Sequence, residues 1–357
     1  MAAEFKVWNA HDSADAKAWE RRWSEWPGRE VHAHPGYVRL FETEAAAPMC
    51  AAWESDKCGV LYPFLLRDLA GERFCPPGVR PASDIITPYG YGGPFRWGDT
   101  VDVARAFWRE FDGWAGRHGV VSEFVRFGLF QEALLDYPGQ KEEKQTNVVR
   151  SLDADGDAVW MDFEHKVRKN VKKAQRSGVR VEVDPRGDRL EEFLAVYTRT
   201  MDRRSALDRY YFTRDFFERI HNYLPGHFAY FHAMHARSVI STELVLLSEC
   251  AVYSFLGGTL EEAFDLRPND LLKYEIILWA KRQGKRAFVL GGGYEAGDGI
   301  FRYKLAFAPS GGVPFYTGWR VLDDSMYGSL TAHRAAVAKA SGVEWTPRPG
   351  FFPAYRG

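Results

Sequence analysis

The stretch from His227 to Gly257, HFAYFHAMHARSVISTELVLLSECAVYSFLG, decides the fold. It holds three runs rich in aromatic and branched residues (227–235, 239–247 and 251–257), parted by short polar breaks. Such runs read as three successive strands. Working outward, residues 269–283 read as a helix, 287–290 as a strand, and a short helix leads to a last strand near 315–321. On the N-terminal side lie a helix at 158–177, a strand at 179–183, and helices at 189–201 and 213–223. Strands and helices in this order predict an α/β (α+β) module, one mixed sheet covered by helices.

The first half carries a compatible pattern. A helix near 14–26 precedes apolar strands near 49–53 and 59–66, and then the Gly/Pro-rich loop Thr87-Pro-Tyr-Gly-Tyr-Gly-Gly-Pro94. Val103, Phe107, Phe111 and Trp114 fall on one face of an amphipathic helix, and a strand at 120–127 follows. This half is therefore expected to be a second copy of the same architecture, although no sequence repeat is visible. The polar stretch 137–146 reads as a linker. The expected organisation is residues 1–147 as one domain, 148–320 as a second, and 321–357 as a tail whose Trp345, Phe351, Phe352 and Tyr355 pack back on a domain surface. A substrate cleft is expected at or near the junction.

Composition bounds the function. A chain of 357 residues exceeds the size at which one core keeps growing, so two domains are natural. The formal charge of -1 provides no bulk attraction to polyanions, so any nucleic acid must be held by a local patch. Four cysteines without CxxC spacing, and an N-terminus lacking an apolar signal region, point to a reducing cytoplasm. No uncharged apolar run approaches the roughly 18–20 residues that cross a bilayer, so stable membrane insertion is not expected. Oligomeric state leaves no mark on the sequence.

One local patch stands out. Lys166, Arg168, Lys169, Lys172, Lys173 and Arg176 share a helix whose apolar positions are Phe163, Val167, Val171 and Ala174, and no carboxylate interrupts them. Either this is a solvated face or it meets a phosphate-bearing partner, with Lys169, Lys172 and Lys173 as its contacts. The Gly291–Gly293 triplet fits neither a P-loop nor a Rossmann fingerprint and is expected to give a tight turn beside a ligand. His232 and His235 point to opposite faces of a strand, and His32 and His34 lack a third ligand, so no metal is assigned. No nucleophile elbow or activated cysteine is present, which favours direct transfer between two held substrates over covalent catalysis.

The order strand, two helices, three strands, helix, strand, short helix, strand resembles that of the GNAT acyltransferases. In members that use acetyl-CoA, a glycine-containing loop before the central helix presents amides to the pyrophosphate. Here the matching segment, Phe264-Asp-Leu-Arg-Pro-Asn-Asp-Leu-Leu272, has no glycine, and Pro268 removes a donor. No CoA or other cofactor is therefore assigned. Several segments together resemble the Fem family of peptidoglycan bridge-forming enzymes, tandem GNAT-fold transferases that use aminoacyl-tRNA. They are Lys166–Ala174 with Gly178-Val179, Tyr210-Tyr-Phe212, Tyr253-Ser-Phe-Leu-Gly-Gly258, Pro268-Asn-Asp-Leu-Leu-Lys273, the glycine triplet, and Phe301-Arg-Tyr-Lys304 with Phe307. No sustained heptad pair appears, so the form without a coiled-coil arm is closer.

The resemblance implies an acceptor amine attacking the ester of an aminoacyl-tRNA. The acceptor would be a peptidoglycan (muropeptide) precursor or a natural-product intermediate. The family's aromatic–lysine pair matches Tyr303 and Lys304, and a ring stacking adenine beside an ammonium that steadies an oxyanion fits that role. The other reading of Lys304 is an exposed helix lysine. Arg204 and Tyr211 lie where the family contacts an anionic precursor, with Arg203 competing. Tyr253 and Phe255 are expected on one strand face toward the cleft, or else in the core. Asp84 and Glu243 are candidate proton acceptors, or else ion-pair partners. The competing functions are an acyl-CoA-dependent GNAT acyltransferase and a non-catalytic scaffold that binds tRNA or a wall precursor.

Overall fold

The structure, a computed structural model, describes residues 3–56, 58–78, 80–98, 103–295 and 297–357. Its first half forms β1 (Glu4–Asn9), α1 (Ser13–Glu25), α2 (Pro35–Arg39), β2 (Ala46–Glu54), β3 (Cys58–Asp68), β4 (Ser83–Ile86), β5 (Phe95–Gly98), α3 (Val103–Arg117), β6 (Val120–Arg126) and β7 (Gln140–Ser151). The second half begins with α4 (Gly156–Asp162), α5 (His165–Arg176), β8 (Arg180–Asp184), α6 (Leu190–Arg203), α7 (Arg214–Tyr223), β9 (Phe228–His235), β10 (Ser238–Leu247) and β11 (Ala251–Thr259). It ends with α8 (Pro268–Arg282), β12 (Ala287–Gly291), α9 (Gly299–Leu305), β13 (Gly312–Val321) and α10 (Asp324–Ala340).

Local chemistry sets these boundaries. The Asp12 carboxylate accepts from the amides of Ala14 and Asp15 at 2.8 and 3.0 Å, satisfying donors that the first turn of α1 leaves free. That helix buries Trp19 and Trp23, while α3 buries Phe107, Phe111 and Trp114, the face its spacing predicts. The helix expected over 158–177 is instead two, because Phe163 and Glu164 turn extended between α4 and α5. The Arg168 guanidinium closes the break by donating to the carbonyls of Met161 (2.7 Å) and Phe163.

The chain folds as two compact units. Unit 1 runs to Pro27, resumes over His32–Lys144 and ends with Phe315–Gly357; unit 2 comprises Gly28–Val31 and Gln145–Pro314. In unit 1 the strand order is β1-β2-β3-β4-β6-β13-β7, with β5 on β3. In unit 2 it is β7-β12-β11-β10-β9-β8. Each copy repeats strand, two helices, three strands, helix, strand, the first copy adding the short β5 before its helix, and in each the third of the three strands runs parallel to the strand after the helix: β4 with β6, β11 with β12. The sequence order of the second half is thus matched by the first, a tandem α/β architecture of GNAT type.

The final strand of each copy folds with the other unit. Residues 148–151 of β7, which follow the first copy, pair with β12, and residues 317–321 of β13, which follow the second, pair with β6. Residues 140–146, whose composition reads as linker, are part of β7, which lies next to β13 in the sheet. The first five residues of β7 are exposed, so their polarity reports solvent, whereas their pairing is made by main-chain groups that side-chain patterning does not encode. The tail also belongs to unit 1, where Tyr355 is fully buried among Leu69, Phe74, Val121 and Leu330.

Candidate active site

Unit 2 opens at the parting of two strands. The parallel pairing of β11 with β12 covers only Ala251–Tyr253 against Ala287–Val289. Past that pairing lie residues 254–259 of β11, which line a cavity together with the start of α5, the end of α6, the start of α8 and α9. The cavity measures about 780 Å3, and every lining residue belongs to unit 2. Six cations (Lys166, Arg203, Arg204, Arg267, Lys273 and Lys304) and three carboxylates (Glu243, Asp270 and Asp298) line it, so the cavity favours an anionic ligand.

Its floor is a set of charges taken from apolar elements. Glu243 lies in the middle of β10 and is ion-paired with Lys273 of α8; both are buried, and the Lys273 ammonium also donates to Ser254 Oγ at 3.0 Å. Lys304 stands on α9, a helix begun by Asp298, whose carboxylate accepts from the amides of Phe301 (2.7 Å), Tyr294 (2.6 Å) and Glu295 (3.2 Å). The Lys304 ammonium donates to the Gly292 carbonyl at 2.7 Å and makes no ion pair among the described residues. Burial first, and then the neighbouring Lys273 ammonium, lowers it to about 8. The Tyr303 hydroxyl is buried without a hydrogen-bond partner among the described residues, and burial holds it well above the ordinary phenol range. Asp270, at the start of α8, accepts from the Asn170 amide of α5 at 3.2 Å.

The glycine triplet serves the protein rather than a ligand. Gly291 has φ +81°, and a Cβ on Gly292 or Gly293 would lie 2.7 Å from Gln145 Nε2 or 2.3 Å from Asp298 Oδ1. The tight turn expected there is present, but the space beside it is filled by Gln145 and Asp298.

At the cavity mouth Arg203 donates to the Thr259 carbonyl at 2.9 Å and lies over Phe264, and exposed Arg204 ends α6 beside it. Both arginines therefore line the site. On α5, Lys166 and Asn170 face the cavity, whereas Lys169, Lys172 and Lys173 are exposed outside its lining.

Three candidate residues lie elsewhere. Asp84, in unit 1, is completely buried and takes ion pairs from Arg67 (2.6 Å) and Arg356 (2.7 Å) and a bond from the Tyr355 hydroxyl (3.1 Å), which gives it the ion-pair role and no place in the cavity. The exposed Tyr211 hydroxyl donates to Asp202 at 3.1 Å, also outside the lining. Tyr253 and Phe255 do not share a face. A bulge leaves Phe255 opposite no residue of β10, because Leu244 pairs with Leu256 and Val245 with Ser254. Phe255 and Ser254 line the cavity, while Tyr253 is buried and donates to the Glu30 carboxylate at 2.7 Å. Lys273 and Asp270 do not stand out as site residues in the sequence, yet each is a charge inside the apolar run Leu271–Ile277 or at its start, the same signal that marks Glu243 in β10.

Residues 161–305 match the family model described as an acetyltransferase (GNAT) domain. No curated protein matches the sequence. Among solved structures, FemX superposes with a TM-score of 0.66 at 14% identity, over 88% of this chain and 97% of that one. L-PGS from Bacillus licheniformis superposes at 0.52 and 13% identity, over 94% and 99%. A C-terminal domain assigned to a lysylphosphatidylglycerol synthetase from Agrobacterium fabrum does so at 0.54 and 15%, over 92% and 97%. Identities this low establish a common fold. Among the described residues no helix is long and apolar enough to cross a membrane.

Proposed function

From a chain that is Fem-like in fold and carries a GNAT acyltransferase domain, we propose a transferase that moves an aminoacyl group from tRNA onto an amine, forming an amide. The observation that carries this reading is the Tyr303–Lys304 pair in the cavity: a buried hydroxyl lacking a partner among the described residues, next to an ammonium lowered to about 8. As the acceptor nitrogen attacks the ester carbonyl, negative charge grows on its oxygen, and these two buried donors are suited to hold it. Glu243 fixes Lys273, which keeps a second positive charge near Lys304. Cations at the mouth suit a phosphate-bearing donor end or acceptor.

Two further observations favour tRNA over CoA as donor. Arg267 (φ +57°) and Pro268 occupy the turn into α8, and Pro268 contributes no amide there. The exposed lysines of α5 add a polycationic face beside the cavity, and Lys169, Lys172 and Lys173 are the proposed tRNA contacts. The acceptor is a muropeptide precursor or a small amino compound. The deciding experiment supplies charged tRNA and amine acceptors with and without ribonuclease. Ribonuclease-sensitive amide formation is expected. Product that survives ribonuclease and requires acyl-CoA would assign an acyl-CoA-dependent acyltransferase, and tRNA binding without any transfer would assign a scaffold.

A further inference from the structure

The carboxylates that could take the acceptor's proton differ in their partners. Glu243 is neutralised by Lys273. Asp298 receives the Phe301 amide of α9 and the Tyr294 and Glu295 amides of the loop before it. Asp84 is held in unit 1 by two arginines. Asp270 stands apart: it is buried, it lines the cavity, it makes no ion pair among the described residues, and its side-chain partner is the neutral amide of Asn170. Tyr303, whose buried hydroxyl has no hydrogen-bond partner among the described residues, lines the same cavity.

We infer that the Asp270 carboxylate is the group that receives the acceptor's ammonium and takes its proton. The inference rests on reading this cavity as the site of transfer. The hydrogen-bond partner of Asp270 is uncharged, and the cations that face it, Lys166 and Arg267, form no ion pair with it among the described residues, so a cationic amine can still complete this carboxylate inside an otherwise cationic cavity. The groups facing Asp270 are Asn170 and Lys166 from α5, Arg267 ahead of α8, and Tyr303 from α9. Burial raises Asp270 above its ordinary 3.8, against the pull of Asn170, Arg267 and Lys166, and a carboxylate displaced upward is a better base. In the step, Asp270 accepts one proton of the ammonium and later yields it to solvent. The freed amine forms a C–N bond to the ester carbonyl, the bond from that carbon to the ribose oxygen breaks, and the leaving oxygen takes the second nitrogen-borne proton.

The test uses the full chain and Asp270→Asn, which keeps an oxygen for Asn170. Wild-type kcat/KM should fall as pH drops through the Asp270 titration. The variant should lose about 10²–10⁴-fold and the acidic limb with it, at a melting temperature no lower than that of the wild type. Independently of any donor, n-propylammonium chloride should shift the Asp270 carboxyl carbon signal saturably by NMR, and that signal is identified by its absence from the variant. If transfer proceeds from acetyl-CoA but not from aminoacyl-tRNA, the same comparison is made with acetyl-CoA, and the donor assignment falls while the role of Asp270 is still decided. A variant within about threefold of wild type with its acidic limb in place, or a carboxyl signal that propylammonium leaves unmoved, overturns the inference.

Discussion

Among the described residues Lys304 makes one donated bond, to the Gly292 carbonyl, and its charged neighbours are Lys273, Glu243 and Asp298. Lys304→Met keeps most of the side chain's volume and removes the cation. Turnover is expected to drop about 10²- to 10³-fold, as when an oxyanion donor is lost, while thermal unfolding stays near that of the wild type; unimpaired turnover would remove Lys304 from the mechanism. Because its ammonium titrates near 8, wild-type activity should decline as pH rises through about 8. Glu30 gives a second residue-scale outcome, this time in stability. It is buried in unit 2, accepts from Ser248 Oγ (2.6 Å) and the Tyr253 hydroxyl (2.7 Å), and burial raises its pKa above 4.5. A carboxyl raised in the folded state contributes stability that is fully present below about 4.5 and is lost as pH rises through the folded value. Glu30→Gln mimics the protonated form, so it should be at least as stable as wild type at pH 7. The gap should close on acidification with a slope no steeper than about 1.4 kcal/mol per pH unit. Chemical denaturation at several pH values measures this, and parallel curves would disprove it.

At the scale of elements, α5 has two functions on two faces. Val167, Val171 and Ala174 are buried, Lys166 and Asn170 meet the cavity, and Lys169, Lys172 and Lys173 remain in solvent. Changing these three to Gln keeps helix propensity and leaves the buried face intact. Affinity for tRNA should fall, and the slope of log affinity against log salt should flatten by about 0.7–0.9 for each phosphate no longer neutralised. Titrations at several salt concentrations read this directly; an unchanged slope would return α5 to an ordinary solvated face. Strand β11 shows the limit of period-two patterning. Alternation places Tyr253 and Phe255 on one face, but the bulge sends Tyr253 to Glu30 and Phe255 to the cavity.

At the scale of the whole molecule, residues distant in sequence complete each unit. In unit 1 the Tyr355 hydroxyl bonds Ser122 (2.8 Å) and Asp84, and Arg356 pairs with Asp84 and Glu72. Tyr355→Ala should cost about 3–5 kcal/mol, as for other fully buried aromatics. Of twelve tryptophans, all but Trp160 and Trp279 lie in unit 1, so fluorescence should report the loss as an earlier unit 1 transition. Unchanged fluorescence melting would show that the tail contributes little. By itself the sequence determined the order of strands and helices from β8 to β12, the main helices and part of the strands of the first copy, the buried faces of α3 and α5, and Glu243 as an isolated charge, because local periodicity and composition carry those signals. Only the tertiary structure decided that β7 and β13 fold with the opposite units, that Asp84 is an ion-pair partner of the tail, and that Asp270, Lys273, Tyr303 and Lys304 line one cavity. Those outcomes depend on strand pairing, on a one-residue bulge and on contacts between elements far apart in sequence, and no local pattern records them.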